Sequence, residues 1–582
     1  MEELNWVDLA AFCGYFVVLV AIGFLVGARQ KRTSEEYFLA GRRLPWYVVG
    51  ASFIGSNIST EHFIGMIGSV YIFGMCVATW EWGNIWTFSV LIWVFIPFLL
   101  ASRVFTAPEF LERRYNATCR LLFAVITVFA NVTAFLSAVL YATGIGLKAM
   151  FKLPETVTIS LGFGSFPVST ILLGAAGMGI IAGSYAIYGG LRSVAWTDVF
   201  QVVVMVVGGL LVTVLGLAYL GGGEGMVAGW RTMVARNLGR SGEWAAAVAA
   251  AAPKLPGEGH TSYNRLQIFQ PMSHSLVPWP TILVGWISVG IWYNCANQLM
   301  IQRVLAAKNE WHARMGIVFA GFIKIFLPVI TIIPGLIYFA IDPSITDPQQ
   351  SDGIYPRMAL LLVHVGIRGV LLAALFGAIQ STVDSVLNST STIISLDIYK
   401  KFIRPDVPEE SLVRMGKWLG AIVLLISITL VPVIERIGKG VFVYIQDLYA
   451  YVAPPFAAVF LIGILWKRAN AKGATVCIPS GIAFGVFLQR VVSVHWLARP
   501  LPFTLRSIFS WIFCVALLIV ISLATRPPSP EKTGDDVTID WHSLATFRNL
   551  GRPWYRNLGF WYLLFAGGII ACYLAFSGLF LR

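Results

Sequence analysis

The chain has 582 residues, 57% of them hydrophobic and 12% charged, with a formal net charge of +13. Soluble domains carry roughly 25% charged residues, so a soluble globule is excluded, and the positive charge is not that of a nucleic-acid binder. The Lys and Arg residues fall instead in alternate loops between apolar runs of bilayer length, about 20 residues.

Those runs predict transmembrane helices over residues 7–27, 46–74, 76–104, 119–150, 167–188, 196–220, 276–303, 313–340, 356–398, 412–434, 439–466, 472–494, 502–525 and 559–580. That is an all-α polytopic membrane protein of about 14 spans. The first run follows the acidic stretch "MEELNWVDLAAF", which lacks the basic opening of a cleavable signal, so it is expected to be a retained helix. The loops "ARQKRTSEEYFLAGRRLP", "SRVFTAPEFLERRYN", "YKKFIRP" and "WKRANAK" hold much of the basic charge on one side. By the positive-inside rule that side is cytoplasmic, which places both termini outside. The main polar stretches are 221–275 and 526–558. The first contains "NLGRSGEWAAAVAAAAPKLPGEGH" and is expected to be extracellular, with a short helix in its alanine run. Seven cysteines lie scattered without paired spacing and read as small buried hydrophobes.

The second run carries its most polar residues at its middle: Asn57, Ser59, Thr60, Glu61 and His62. A helix in lipid must satisfy its own backbone, so an interruption is tolerated only where it lines a cavity or a site. Broken helices at the midplane mark secondary transporters with inverted repeats. Close helix packing through small residues is the alternative, but it does not call for ionisable groups such as Glu61 and His62. Other intramembrane polar groups follow: Glu81 in "TWEWGN", Asp198 after "GGLRSVAWT", Lys324 in "GFIKIFLP" and Gln446 in "VYIQDLYA". Lys324 alone costs roughly 2.5–3.5 kcal/mol to insert, so it is expected to face a cavity or pair with an acid. In "AIQSTVDSVLNSTST", Ser381, Asp384 and Ser385 share one helical face. Singly, such hydroxyls bond back to their own helix. Together these groups supply oxygens for a hard cation and a hydrogen-bonding pocket for a polar solute. No GxSxG, P-loop, HExxH or CxxC context occurs, so enzymatic chemistry is not expected.

With those residues in view, the chain resembles the sodium:solute symporter family, most closely its sodium/sugar branch. The blocks "NISTEHFIGM", "YGGLRSVAWTDVFQV", "NQLMIQRVLAAKN", "LNSTSTIISLDIYKK" and "YIQDL" carry the resemblance in matching order, from "EEYFLAGRRLPWYVVGAS" to "GILWKRANAKGA". It implies the leucine-transporter fold, five helices plus five in inverted repeat. The repeats would be residues 46–220 and 276–494, with residues 1–45 before them, the 221–275 loop between them and C-terminal helices in 495–582. It also implies a sodium ion held by Gly55, Ile58 and Ala378 and by the hydroxyls of Ser381 and Thr382, and a sugar held by His62, Glu81, Asn84, Lys324 and Gln446. Tyr293 matches the aromatic inner gate, and Met66, Trp80 and Phe442 match the outer lid. A second sodium is implied near Asp198, Asp384 and Ser385, where a cation between two buried carboxylates relieves their repulsion.

The pattern departs from the family at two points. The inner gate, usually Tyr-Trp, is here Tyr293-Asn294, and the fourth-span Asn of the bacterial galactose member falls at Phe135 or, with a gap, at Asn131. The expected activity is sodium-driven import of a glucose- or galactose-like hexose by alternating access at the cell membrane. A sodium/myo-inositol symporter is the alternative, since Asp384 resembles the inositol branch and inositol is also a ring of hydroxyls. A non-transporting sensor or channel on this fold, and a proton-driven carrier using His62, Asp198 and Asp384, are the other readings.

Overall fold

The computed structural model describes residues 5–28, 33–59, 61–161, 164–238, 264–272, 274, 276–345, 348–362, 368–437, 441–497, 501–541, 547 and 550–577. Among them, 11 helices are long and apolar enough to cross a membrane. The expected count of fourteen is not recovered by length alone, and the interruptions explain the difference. The helix Trp46–Asn57 has only 12 residues, about 18 Å of rise against a hydrocarbon core of about 30 Å. It ends at Ile58, whose φ of −77° and ψ of 105° turn its carbonyl out of the helical ladder. The chain resumes as a π-helical turn, Glu61–Met66, then Ile67–Phe73. The run 276–303 is broken in the same manner. Two π-helical pieces, Thr281–Gly290 and Trp292–Ala296, stop at Asn297, with φ −68° and ψ 127°. The Asn297 side chain then caps the next helix, Gln298–Leu305, accepting from the Leu299 N–H at 3.0 Å.

Conversely, Thr170–Gly221 runs for 52 residues, about 78 Å if straight. Gly190 divides it, at φ 54° and ψ −153°, a backbone that only glycine adopts without strain. A Cβ there would also stand 2.3 Å from the Tyr37 carbonyl oxygen. The two sides of that break correspond to the spans expected at 167–188 and 196–220.

Three further differences from the sequence reading stand out. The single span expected over 356–398 is two helices, Ile354–Leu362 and Arg368–Ile393, the second continued by a π-helical segment, Ile394–Ile403. Before Thr170 an antiparallel hairpin pairs Thr156–Leu161 with Gly164–Ser169, with Val157 opposite Val168 and Ile159 opposite Phe166. Four β-branched residues in succession, Thr156 to Ile159, favour the strand there. A helix, Met226–Leu238, opens the 221–275 segment, whereas the helix expected in its alanine run lies outside the described residues.

Arg368–Ile393 is buried along almost its whole length. It lies against Thr170–Gly221 and Trp46–Asn57. Trp46–Asn57 in turn crosses Glu310–Thr331 at two glycines. A Cβ on Gly50 would stand 2.4 Å from the Gly316 carbonyl oxygen, and a Cβ on Gly316 would stand 2.8 Å from Val49 Cγ1. That crossing brings the broken helix and the lysine-bearing helix into direct backbone contact.

Candidate functional site

Below the first helix break the polar side chains converge on a cleft of about 50 Å³, walled by Asn57, Glu61, His62, Met66, Trp80, Asn84, Trp286, Tyr293, Asn294, Lys324, Gln446 and Tyr449. Lys324, expected to find an acid, pairs with Glu81, Nζ to Oε2 at 2.5 Å, and also donates to Asn57 Oδ1. Both partners of the pair are buried. Deleting one member of such a pair costs about 3–5 kcal/mol, because the other charge is stranded. The second Glu81 oxygen lies 3.1 Å from His62 Nε2. His62 Nδ1 accepts the Ser59 N–H at 3.2 Å, so the proton of a neutral ring sits on Nε2, facing Glu81. Gln446 Nε2 donates to Glu61 Oε1 at 2.6 Å. Asn84 Nδ2 donates to the carbonyls of Trp80 and Glu81 at 2.7 and 3.1 Å.

Aromatic rings close the cleft on two sides. Trp80 meets Trp286 edge-on, centroids 5.9 Å apart. Tyr293 packs at 5.9 Å from Tyr449, which also contacts Trp292 at 5.0 Å. The structure thus gathers His62, Met66, Trp80, Asn84, Tyr293, Lys324 and Gln446 around one cleft, with Glu81 bonded into it. Phe442 belongs to the helix Val441–Leu465, but its side chain lies outside the described residues.

On the other face of Trp46–Asn57 a hydroxyl-rich zone meets Arg368–Ile393. Gly55 presses against it, and a Cβ there would stand 3.2 Å from Ser381 Oγ and 3.1 Å from Asp198 Cβ. Ser381 donates to Asp198 Oδ1 at 2.5 Å, and Ser52 to Asp198 Oδ2 at 2.6 Å. Thr382 donates to the Ala378 carbonyl at 3.0 Å, leaving its lone pairs open to a cation. Ser56 and Ser385 hydroxyls lie 2.9 Å apart. Asp384 accepts from Tyr185 at 2.7 Å and from Ser385 at 3.2 Å.

Asp198, Asp384 and Ser385 therefore share one zone, and a guanidinium already stands in it. Arg303 is fully buried, with Nη2 3.7 Å from Asp198 Oδ2. Its Nε donates to Ser52 at 3.2 Å, and Nη2 donates to Ser385. Sequence reasoning passed over Arg303, because a basic residue at a span end reads as an interface anchor. It also missed Tyr449 and Trp286 as cleft residues, whereas Asn57, singled out in the polar middle of the second run, lines the cleft. Glu61 had been noted as ionisable and Asn294 as a departure at the gate, and each proves to line the cleft.

The model of the "Sodium:solute symporter family" matches residues 37–481. The chain is similar to a "Sodium/glucose cotransporter" of Vibrio parahaemolyticus, 33% identical over 92% of this chain and 93% of that protein. It is similar also to a "Sodium/myo-inositol cotransporter" of Mus musculus, 32% identical over 91% of this chain and 75% of that one. Among solved structures, the substrate-bound outward-open state of a Na+-coupled sialic acid symporter superposes with a TM-score of 0.73 at 19% identity, covering 90% of this chain and 99% of that one. That likeness shows the fold, the five-plus-five inverted repeat with two interrupted helices at its centre.

Proposed function

The chain belongs to the sodium:solute symporter family, and from that premise we propose that it imports a hexose of the glucose or galactose type. Sodium-coupled symport of a solute across a membrane is the activity that membership carries, and sodium is the co-substrate. The observation that supports a sugar is the polar set of the cleft. Glu81 and Glu61 accept, Lys324 donates, and Gln446 and His62 do both. Such a set reads a stereochemical pattern of hydroxyls, since a wrong epimer leaves a buried group unpaired. Tyr293 offers an aromatic face to the apolar side of the ring. Met66 and Trp80, which line the cleft, would serve as the outer lid.

Sodium would be held at the junction of the two repeats by the carbonyls of Gly55, Ile58 and Ala378 and the hydroxyls of Ser381 and Thr382. These neutral oxygens bind a hard cation and let it go again. Since Gly55 and Asn57 lie on one broken helix, the ion on one face supports the shape that the sugar meets on the other. Sodium then raises sugar affinity, and sugar raises sodium affinity by the same factor. A second sodium among Asp198, Asp384 and Ser385 would compete with Arg303, so one sodium per sugar is the stoichiometry we propose. The repeats are residues 46–220 and 276–494, and the orientation puts both termini outside. The family it belongs to is one of symporters, so the protein is read as a transporter, not an enzyme.

A myo-inositol substrate is the second reading, supported by relatives of that kind at nearly the same identity. Uptake of labelled D-glucose, D-galactose and myo-inositol into proteoliposomes, competed by sialic acid, tests the proposal. We expect uptake that disappears when sodium is replaced by choline at fixed pH. Uptake persisting in choline would overturn sodium coupling, and binding without uptake would favour a sensor.

A further inference from the structure

We infer that Asn294 binds the substrate through its carbonyl oxygen and sets which hydroxyl pattern the cleft accepts. This rests on the reading of the cleft as a site for a polyhydroxylated ring. The orientation of Asn294 follows from a chain of bonds that starts one residue away. Asn84 Nδ2 donates to the carbonyls of Trp80 and Glu81, which only the amide nitrogen can do. Asn84 Oδ1 therefore faces Asn294, and the group it meets at 2.8 Å must be a donor, Asn294 Nδ2. The same nitrogen lies 3.0 Å from the Thr87 hydroxyl. Both amide protons of Asn294 are thereby engaged, and its Oδ1 is left buried on the cleft wall without a donor.

Buried carbonyls are nearly always hydrogen-bonded. An orphan acceptor in the wall of a binding cleft is an address for a ligand donor. The Tyr449 hydroxyl, on the same side, is also buried and without a partner. Lys324, Gln446 and Glu61 line the same cleft, Lys324 paired with Glu81 and Gln446 with Glu61. An occupant that satisfies Asn294 as well as these groups carries more than one hydroxyl. The group meeting Asn294 must be a donor, which on a hexose or cyclic polyol is an O–H; a ring oxygen or a carboxylate has no proton to give. A neutral cyclic polyol or hexose satisfies this, whereas an acidic sugar presenting its carboxylate to that wall does not.

The test is equilibrium binding to the full-length protein in sodium, with D-glucose, myo-inositol and their mono-deoxy analogues, for the wild type and Asn294→Leu. In the wild type we expect the analogue lacking the hydroxyl that meets Asn294 to bind about 10-fold or more weakly than its parent. In Asn294→Leu the parent should fall to the level of that analogue, so this one difference vanishes while the penalties at other positions persist. A residue that only clamps Asn84 and Thr87 would weaken every ligand by the same factor. That uniform loss, or no loss at all, overturns the assignment. Should the Leu variant fail to fold, Asn294→Ala removes the same acceptor without added bulk and should show the same position-selective loss, and a uniform loss or none there overturns the assignment equally. If the wild type binds none of these probes in sodium, the polyol reading itself falls, and this assignment with it.

Discussion

Replacing Arg303 by Met keeps much of the volume of the side chain and removes its charge. In the native protein the guanidinium stands 3.7 Å from Asp198 and hydrogen-bonds Ser52 and Ser385, with Asp384 bonded to that same Ser385. At an effective dielectric of about 20, the attraction at that distance is about 4 kcal/mol. Removing one partner of a buried ion pair costs about 3–5 kcal/mol, so the two figures agree on the scale of the defect. The defect is electrostatic, and a cation can repair it. Asp198, Ser52, Ser56 and Ser385 would offer a sodium ion oxygen ligands in place of the lost guanidinium. Arg303→Met is therefore expected to be markedly destabilised in choline chloride and to recover most of that loss in sodium chloride at the same ionic strength. The wild type should show a smaller sodium effect, from the proposed site at Ser381 and Thr382 alone. The assay is unfolding in detergent across a sodium titration, paired with the reversal potential of substrate-coupled current. One sodium driven by 100 mV and a tenfold gradient supports roughly 500-fold accumulation, and two support on the order of 10⁵-fold. The wild type should fit one. If Arg303→Met is as stable as the wild type in choline, or gains no more from sodium than the wild type does, the idea of a resident cation is wrong.

Other expectations follow from the same geometry. His62→Gln should keep transport with altered epimer preference, because an amide can still accept from the Ser59 N–H and donate toward Glu81. His62→Leu should abolish transport, and full uptake by the Leu variant would show the ring to be mere packing. Ser381→Ala combined with Thr382→Ala should raise the sodium concentration needed for half-maximal uptake by an order of magnitude or more, with sugar binding at saturating sodium affected far less; equal losses of both would argue against a sodium role. On the basic side of the membrane, burial opposes the charge on Glu112, but hydrogen bonds from Lys401 and Arg120, at 2.6 and 2.7 Å, hold its carboxyl below the usual range. A depressed carboxylate contributes stability that is complete above its unfolded value of about 4.3 and is lost as pH falls through the lower folded one. Glu112→Gln should therefore lower the melting temperature at pH 7, and the difference from wild type should shrink below about pH 4.

How far the site was legible depended on what each residue costs in lipid. Glu61, His62, Glu81 and Lys324 stand out in any apolar run, because no lipid-facing helix tolerates them. The first helix break was legible for the same reason. The second break, at Asn297, was not, since one Asn-Gln pair in a long apolar run reads as ordinary polar decoration. Arg303 was hidden by position: near a span end a basic side chain normally reaches for the interface, and only the assembled fold shows it turned inward between Ser52, Asp198 and Ser385, drawn from three separate helices. The roles of Asn294 and Tyr449 rest on atoms without partners, and a missing partner is a property of three-dimensional packing that no spacing rule encodes. The hairpin before Thr170 was too short and too mixed in polarity to compete with the helical runs around it.

The glycine crossing at Gly50 and Gly316 has a mechanical meaning. Side chains that interleave between helices act as a cushion, since rotamers can yield before backbones move. Here the two backbones approach closely, with only the Val49 and Phe319 side chains beside the contact, so the cushion is thin. A displacement of Trp46–Asn57 is therefore passed on with little damping to Glu310–Thr331, and Lys324 sits two turns along from the point of bearing. On the proposed reading, tightening or loosening the broken helix around an ion would be felt at the ammonium group as a change in its grip on Glu81 and Asn57. The two glycines form a joint with little backlash, and even a single methyl group inserted there would introduce play where the transporter needs its two cargoes to keep time.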